Sequence, residues 1–268
     1  MAATAAGRRA TEQHRAAQVE LRARALGDLQ RLWRTVDPEN LERTIEGFAN
    51  AAAVLIYEWR AESGEVSANY VDRLRQAEGA GGAITIMVGE GPSHGELVRS
   101  IRGAALAGIV RARRRGHSVE AAARSGFVRA SGTAATSILA GGREVVAGAV
   151  HGDDQAVAWM RVTSGKACEF CAMLASRGPV FTTATAAGEA FHDHCACSVE
   201  PVYSAEAAED RSTWPGDAAR LREIWDHMTG GAGAGAGGAL EAFRLGLAAE
   251  AQGRPLPTAD PTIGLAEF

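Results

Sequence analysis

Four cysteines fall close together, Cys168, Cys171, Cys195 and Cys197, with His192 and His194 among them. The spacing is C-x-x-C, 23 residues, then C-x-C, and an H-x-x-C overlaps the second pair. The chain has no other cysteine, so these side chains form one unit, and the unit most easily built from them is a metal site. Zinc takes four soft or borderline ligands in a tetrahedron, with thiolate sulfur about 2.3 Å from the ion. A C-x-x-C on a tight turn converges two thiolates on one point. On an extended segment, residues i and i+2 face the same side, so Cys195 and Cys197 can both face that turn. His192, three residues before Cys195, can enter the same shell. Five candidates, or six with His194, compete for about four places, and spacing does not say which is left out. A surplus of thiolates reads as a closed, structural zinc site, because catalytic zinc keeps a position open for water.

Two disulfides are the competing reading, since an even cysteine count permits them. A chain of 268 residues buries a sizeable core without staples. The stretch MAATAAGRRATEQHRAAQ lacks the apolar region of a secretory signal, so a reducing compartment is expected, where C-x-x-C favours metal. A thioredoxin-like motif needs a βαβ context, and a zinc deaminase needs H-x-E and P-C-x-x-C; neither is present. Nor is there a nucleophile elbow, an H-E-x-x-H or a phosphate-cradling glycine loop after a strand. The local His192-Asp193-His194 leaves one enzymatic alternative, a zinc-dependent nuclease. A DNA-binding adaptor without catalysis is the third.

The net charge of -4 and pI of 6.0 argue against generic nucleic-acid binding by the whole chain. Charge is uneven, however. Between Leu97 and Arg143 stand nine arginines, Arg99, Arg102, Arg111, Arg113, Arg114, Arg115, Arg124, Arg129 and Arg143, against the single acid Glu120. Phosphate contact is the sharp reading of that stretch and a solvated helix face the bland one, which the scarcity of aromatics there favours. After Ser204 ten acids face five arginines. No run of 18 apolar residues occurs, so no membrane span is expected.

The elements that must position the cysteines are mostly helices. Periodicity predicts helices over 8–34, from Glu39 to Ala61 behind an Asp37-Pro38-Glu39 cap, and over 67–77, with Ser63-Gly64 as a stop. Ala83 to Val88 reads as a short strand between glycines. Ser93 and Ser118 read as starts of further helices, the second towards Leu139. Another runs from Arg143 to His151 and on to Trp159. Asp153 and Asp154 read as surface or structural carboxylates. Val180-Phe181 reads as a short strand, and Asp217 to Met228 as a late helix. TGGAGAGAGGA, 229–239, reads as a flexible linker. Beyond it only Leu240 to Ala251 looks helical. The expected fold class is mainly α (α+β): a helical region over 1–155, a zinc-pinned α+β module with a flanking helix over 156–228, and a glycine-rich linker and flexible tail over 229–268.

From Trp159 to Tyr203 the residues resemble a known family. W-x-R-V-x-x-G-x-x-C-x-F-C-A-M-L-A-S-R-G-P-V-F followed by F-H-x-H-C-x-C-x-x-x-P-V-Y is similar to the Mu F-type head morphogenesis proteins, minor head proteins of tailed phages, in their actinobacteriophage version. Relatives often carry Asp where this chain has Ser164, a turn residue in either case. The resemblance implies a non-enzymatic minor capsid protein in few copies, inside the head at the portal vertex, and in the host cytoplasm during assembly. The expected partners are the portal protein and a major capsid or scaffolding protein, with packaged DNA expected from the arginines of the Arg99–Arg143 stretch themselves. One structural zinc is expected on Cys168, Cys171, His192, Cys195 and Cys197. Some relatives append a protease or toxin domain, for which the residues after the glycine linker are too few.

Overall fold

The computed structural model describes residues 2–86, 90–163, 167–181, 195, 197–233, 235 and 237–259. Four long helices make the body: α1 (Ala5–Trp33), α2 (Leu41–Glu78), α3 (His94–Arg114) and α4 (Val119–Gly152). Local chemistry sets their starts. Thr4 caps α1, Ser118 caps α4, and Ser93 forms a reciprocal capping box with Glu96 at α3. Leu29, Phe48, Ile56, Ile101 and Ile138 meet in the core that these helices share.

A smaller module follows. Strand β1 (Ala158–Val162) leads to α5 (Glu169–Ser176), then β2 (Ser198–Val202), α6 (Ala205–Glu209), α7 (Ala218–Thr229) and α8 (Ala239–Ala251). The strands pair antiparallel, with Trp159 opposite Pro201 and Arg161 opposite Val199. One face of the ribbon puts Trp159 and Val199 into a core shared with Tyr70 and Leu74 of α2 and Val146 of α4. The other face puts Ala158, Met160 and Val162 against Ala218. The module is thus docked on the helical body. Within the tail, α8 buries Phe243 against Trp225 of α7.

Several expectations change in detail. α2 runs unbroken through Ser63 and Gly64 and starts at Leu41, with Pro38 in the preceding turn. Ser63 and Ser67 are fully buried. Ser63 Oγ donates to Gln18 Oε1 at 2.9 Å and accepts from the Gly142 N–H at 3.1 Å, while Gln18 Nε2 donates to the Ser63 carbonyl at 3.0 Å. The small residues are therefore a packing surface for α1 and α4, not a stop. A methyl group at Gly142 would collide with Ser67 Oγ, and one at Gly141 with the Arg60 backbone. α4 likewise continues unbroken from Val119 and ends at Gly152, so Trp159 lies on a strand. Residues 83–86 form no strand; Ile84 and Ile86 pack on the module's core. The remainder of that expected strand lies outside the described residues. Asp153 is buried and pairs with Arg75 at 3.1 Å. Phe181 bridges to Trp159 as a one-residue strand.

The polar seam between α1 and α2 has a pH consequence. His14 Nε2 lies 2.9 Å from Ser67 Oγ, and its ring stacks on Tyr70 with centroids 4.2 Å apart. Burial, reinforced by the Arg73 charge, lowers its pKa from 6.5 to about 4. The folded chain therefore refuses a proton that the unfolded chain accepts below pH 6.5. The stability held by neutral His14 is complete above that pH and falls as pH drops towards 4, by about 3 kcal/mol in all. Urea unfolding at pH 7 and pH 4.5 should show that loss in the wild type and much less of it in His14→Gln. Equal pH dependence in both would contradict it.

Candidate metal centre

Three of the four thiols converge. The Sγ atoms of Cys171, Cys195 and Cys197 all lie within 4.8 Å of one another, and all three residues are buried. Sulfurs about 2.3 Å from a tetrahedral zinc stand about 3.8 Å apart, so this spacing fits a shared ion. Cys171 and Cys195 approach to 3.5 Å. All four cysteines are free thiols, and the three that converge on one point are compatible with a shared metal ion.

Each thiol is placed by an identifiable element. Cys171 sits in the first turn of α5, not on an open turn. Cys195 and Cys197 lie just before β2, and their Sγ atoms meet that of Cys171. The pairing of β1 with β2 brings Arg161 to the same place, because Arg161 faces Val199, two residues beyond Cys197. Cys168 lies outside the group of three. It is the N-cap of α5, and its Sγ accepts from the Cys171 N–H at 3.4 Å. His192 and His194 lie outside the described residues.

Two buried arginines complete the surroundings. Arg143 on α4 donates from Nε to the Cys197 carbonyl at 3.0 Å and from Nη2 to the Cys195 carbonyl at 2.8 Å. Arg161 on β1 donates from Nη1 to Cys171 Sγ at 3.4 Å. Arg143 thus belongs to the thiol site and is removed from the basic stretch in which its sequence position placed it. Burial lowers its pKa to about 10, which leaves it a cation at neutral pH. Hydrogen bonds from Cys171 and Cys197, then the Arg143 charge, hold the Cys195 thiol far below the ordinary thiol range. Hydrogen bonding to Cys195 and Cys197, with burial, pushes Cys171 up. One thiolate already favoured among clustered thiols is a competent start for binding a divalent cation.

Neither arginine stood out as a site residue in the sequence. A signal existed for Arg161: Trp159-Met160-Arg161-Val162 sets one charge in a strand buried on both faces, and a buried guanidinium needs a partner. The motif Ala-Ser-Arg-Gly ends α5. Its Gly178 adopts φ 69° and lies against the Trp214 ring, leaving no room for a side chain. Arg177 is exposed and lies over the Phe181 ring, 5.1 Å from its centroid. The cavity reaching Cys197, lined also by His14, Gln18 and Arg143, measures about 20 Å³. That is room for a water-sized molecule and not for a nucleotide.

A family model, the VG15 protein, matches residues 5–227. The chain belongs to the VG15 family. The matched span takes in α1 to α6, most of α7, both strands and all four cysteines, and leaves out α8. Membership in VG15 points to a viral gene product. Searches of curated proteins and of solved structures found no match. No described helix of this VG15-family chain is long and apolar enough to cross a membrane.

Proposed function

We propose that this chain is a Mu F-type minor capsid, or head morphogenesis, protein of a tailed phage or prophage. In this reading it sits at the portal vertex inside the head, binds the portal protein and a capsid or scaffolding protein, and has no catalytic role. The observation that carries the reading is the motif from Trp159 to Tyr203, set within a chain of the VG15 family. Three of its cysteines converge on one point, and Arg143 of α4 hydrogen-bonds two of them there, which supports a metal that pins the module to the helical body.

We assign one structural zinc to that centre, with Cys171, Cys195 and Cys197 as three ligands and Cys168 as the fourth. Charge supports four thiolates. Four thiolates around a dication leave two negative charges over, the number that the buried Arg143 and Arg161 supply. Cys168 is three residues from Cys171, with its Sγ 3.4 Å from the Cys171 N–H, the C-x-x-C spacing that zinc sites use. Cys168→Ser keeps the N-cap, since serine caps strongly, so the release of zinc expected from it reports lost ligation and not lost capping; His192→Ala should retain the zinc. Zinc retained by the first variant and lost by the second would put His192 in the fourth place.

The nuclease alternative rests on His192, Asp193 and His194, which lie outside the described residues, and the small cavity at Cys197 gives it no support. The assembly role is tested by capturing the portal protein encoded beside this chain with the tagged full-length protein and measuring zinc in the eluate. Portal retained with about one zinc per chain supports the reading. Zinc without portal contradicts the assembly role, and DNA cleavage abolished by Asp193→Ala would replace it with the nuclease.

A further inference from the structure

The folded chain sorts the nine central arginines. Arg143 is buried at the thiols, Arg129 is half-buried, Arg102 pairs with Glu46 at 3.0 Å, and exposed Arg99 lies beside Glu96 near the start of α3. Five others gather where α3 turns into α4. Arg111, Arg113 and Arg114 occupy the last turn of α3, Arg115 caps it, and Arg124 lies in the second turn of α4; all are exposed. Arg113 Nη1 donates to the His117 carbonyl at 2.8 Å and orders the turn. Arg111, Arg114 and Arg115 line one shallow depression with Val110, as i, i+3 and i+4 positions must. The nearby acid, Glu120, is engaged by the Ser118 side chain.

We infer that this arginine tip is a binding surface for the phosphate backbone of duplex DNA. A helix C-terminus is stabilised by a cation or two, and five exposed cations at one tip concentrate positive potential that attracts a polyanion. Guanidinium forks match phosphate oxygens in pairs, and residues one helical turn apart stand about 5–6 Å from each other, within reach of neighbouring phosphates. Single-stranded nucleic acid is disfavoured because the tip offers no stacking platform of Phe, Tyr or Trp, its one ring being the His117 imidazole: Phe127 packs on the helical core. A protein partner is disfavoured because its interface would want an apolar centre, and the exposed large hydrophobics in this stretch are Val110 and Val128. The tip is far from the thiols: from Val119 to Arg143 the helical rise alone separates them by about 36 Å.

The inference leans on the chain's viral family and not on the portal reading. The test is fluorescence anisotropy of a labelled duplex with the full-length zinc-loaded protein, between about 50 and 200 mM salt. The wild type should bind with steep salt dependence. Arg111→Ser, Arg114→Ser and Arg115→Ser together should weaken binding at least about tenfold and flatten the salt slope by about 2–3. A control triple of exposed arginines elsewhere, Arg9→Ser, Arg34→Ser and Arg254→Ser, changes net charge equally and should bind nearly as the wild type does. No binding by the wild type, or equal losses in both triples, would overturn the inference. So would polyglutamate binding the tip better than DNA, which would make the partner an acidic protein. Portal capture by the first triple should be undiminished, which keeps this result separate from the assembly role.

Discussion

Cys195→Ser should leave the full-length chain without bound zinc and open the segment 167–203 to proteases, while α1 to α4 remain helical. Cys195 is favoured as thiolate, and its sulfur lies 3.5 Å from that of Cys171. Serine cannot replace it as a soft ligand. Apparent binding free energies of structural zinc reach about 10–16 kcal/mol, which exceeds the whole stability of many domains. The short ribbon of β1 and β2 and the eight-residue α5 have little else to hold them around buried thiols. The four long helices keep their own core at Leu29, Phe48, Ile101 and Ile138, so the loss should stop at the module. Metal analysis, circular dichroism and limited proteolysis together check this. Unchanged zinc content and unchanged protection would contradict it.

Arg143→Met should damage the same centre without touching a ligand. It removes both hydrogen bonds to the Cys195 and Cys197 carbonyls and one of two charges that offset the thiolates. Each buried carbonyl left without a donor costs about 1–3 kcal/mol. Partners that orient ligands typically contribute 10–100-fold in metal affinity. The variant should therefore lose zinc to a chelator at about 10–100-fold lower concentration and unfold earlier in urea. Arg143→Lys should not restore either property, because one ammonium cannot reach two carbonyls in the fork geometry of a guanidinium. Full rescue by lysine would reduce Arg143 to a bulk charge and remove its positioning role.

Much of this centre was legible in the sequence because its determinants are local. The i, i+2 relation of Cys195 and Cys197 dictates a common face, and Ser93 with Glu96 writes its own capping box. What was illegible depends on packing across the chain. Ser63-Gly64 has the composition of a stop, yet α1 and α4 press on it and turn it into a close-contact surface. Arg143 sits among surface-type arginines in the sequence, and only the crossing of α4 over α2, made possible by Gly141 and Gly142, carries it to the thiols. The apolar run beginning at Ala83 matches a strand in composition, but among the described residues no strand pairs with 83–86, which pack as irregular chain. Arg161 was readable as an anomaly, but its partner was not, since the pairing of β1 with β2 spans the whole cysteine region.

The measurement that most directly tests the centre is zinc quantification on the purified full-length chain, paired with thiol titration before and after chelation under denaturing conditions. The account predicts about one zinc per chain, thiols that are unreactive in the native protein, and all four cysteines reactive once the metal is removed. A metal-free chain whose four thiols titrate in the native state, or one whose cysteines resist titration until reduced, would contradict it.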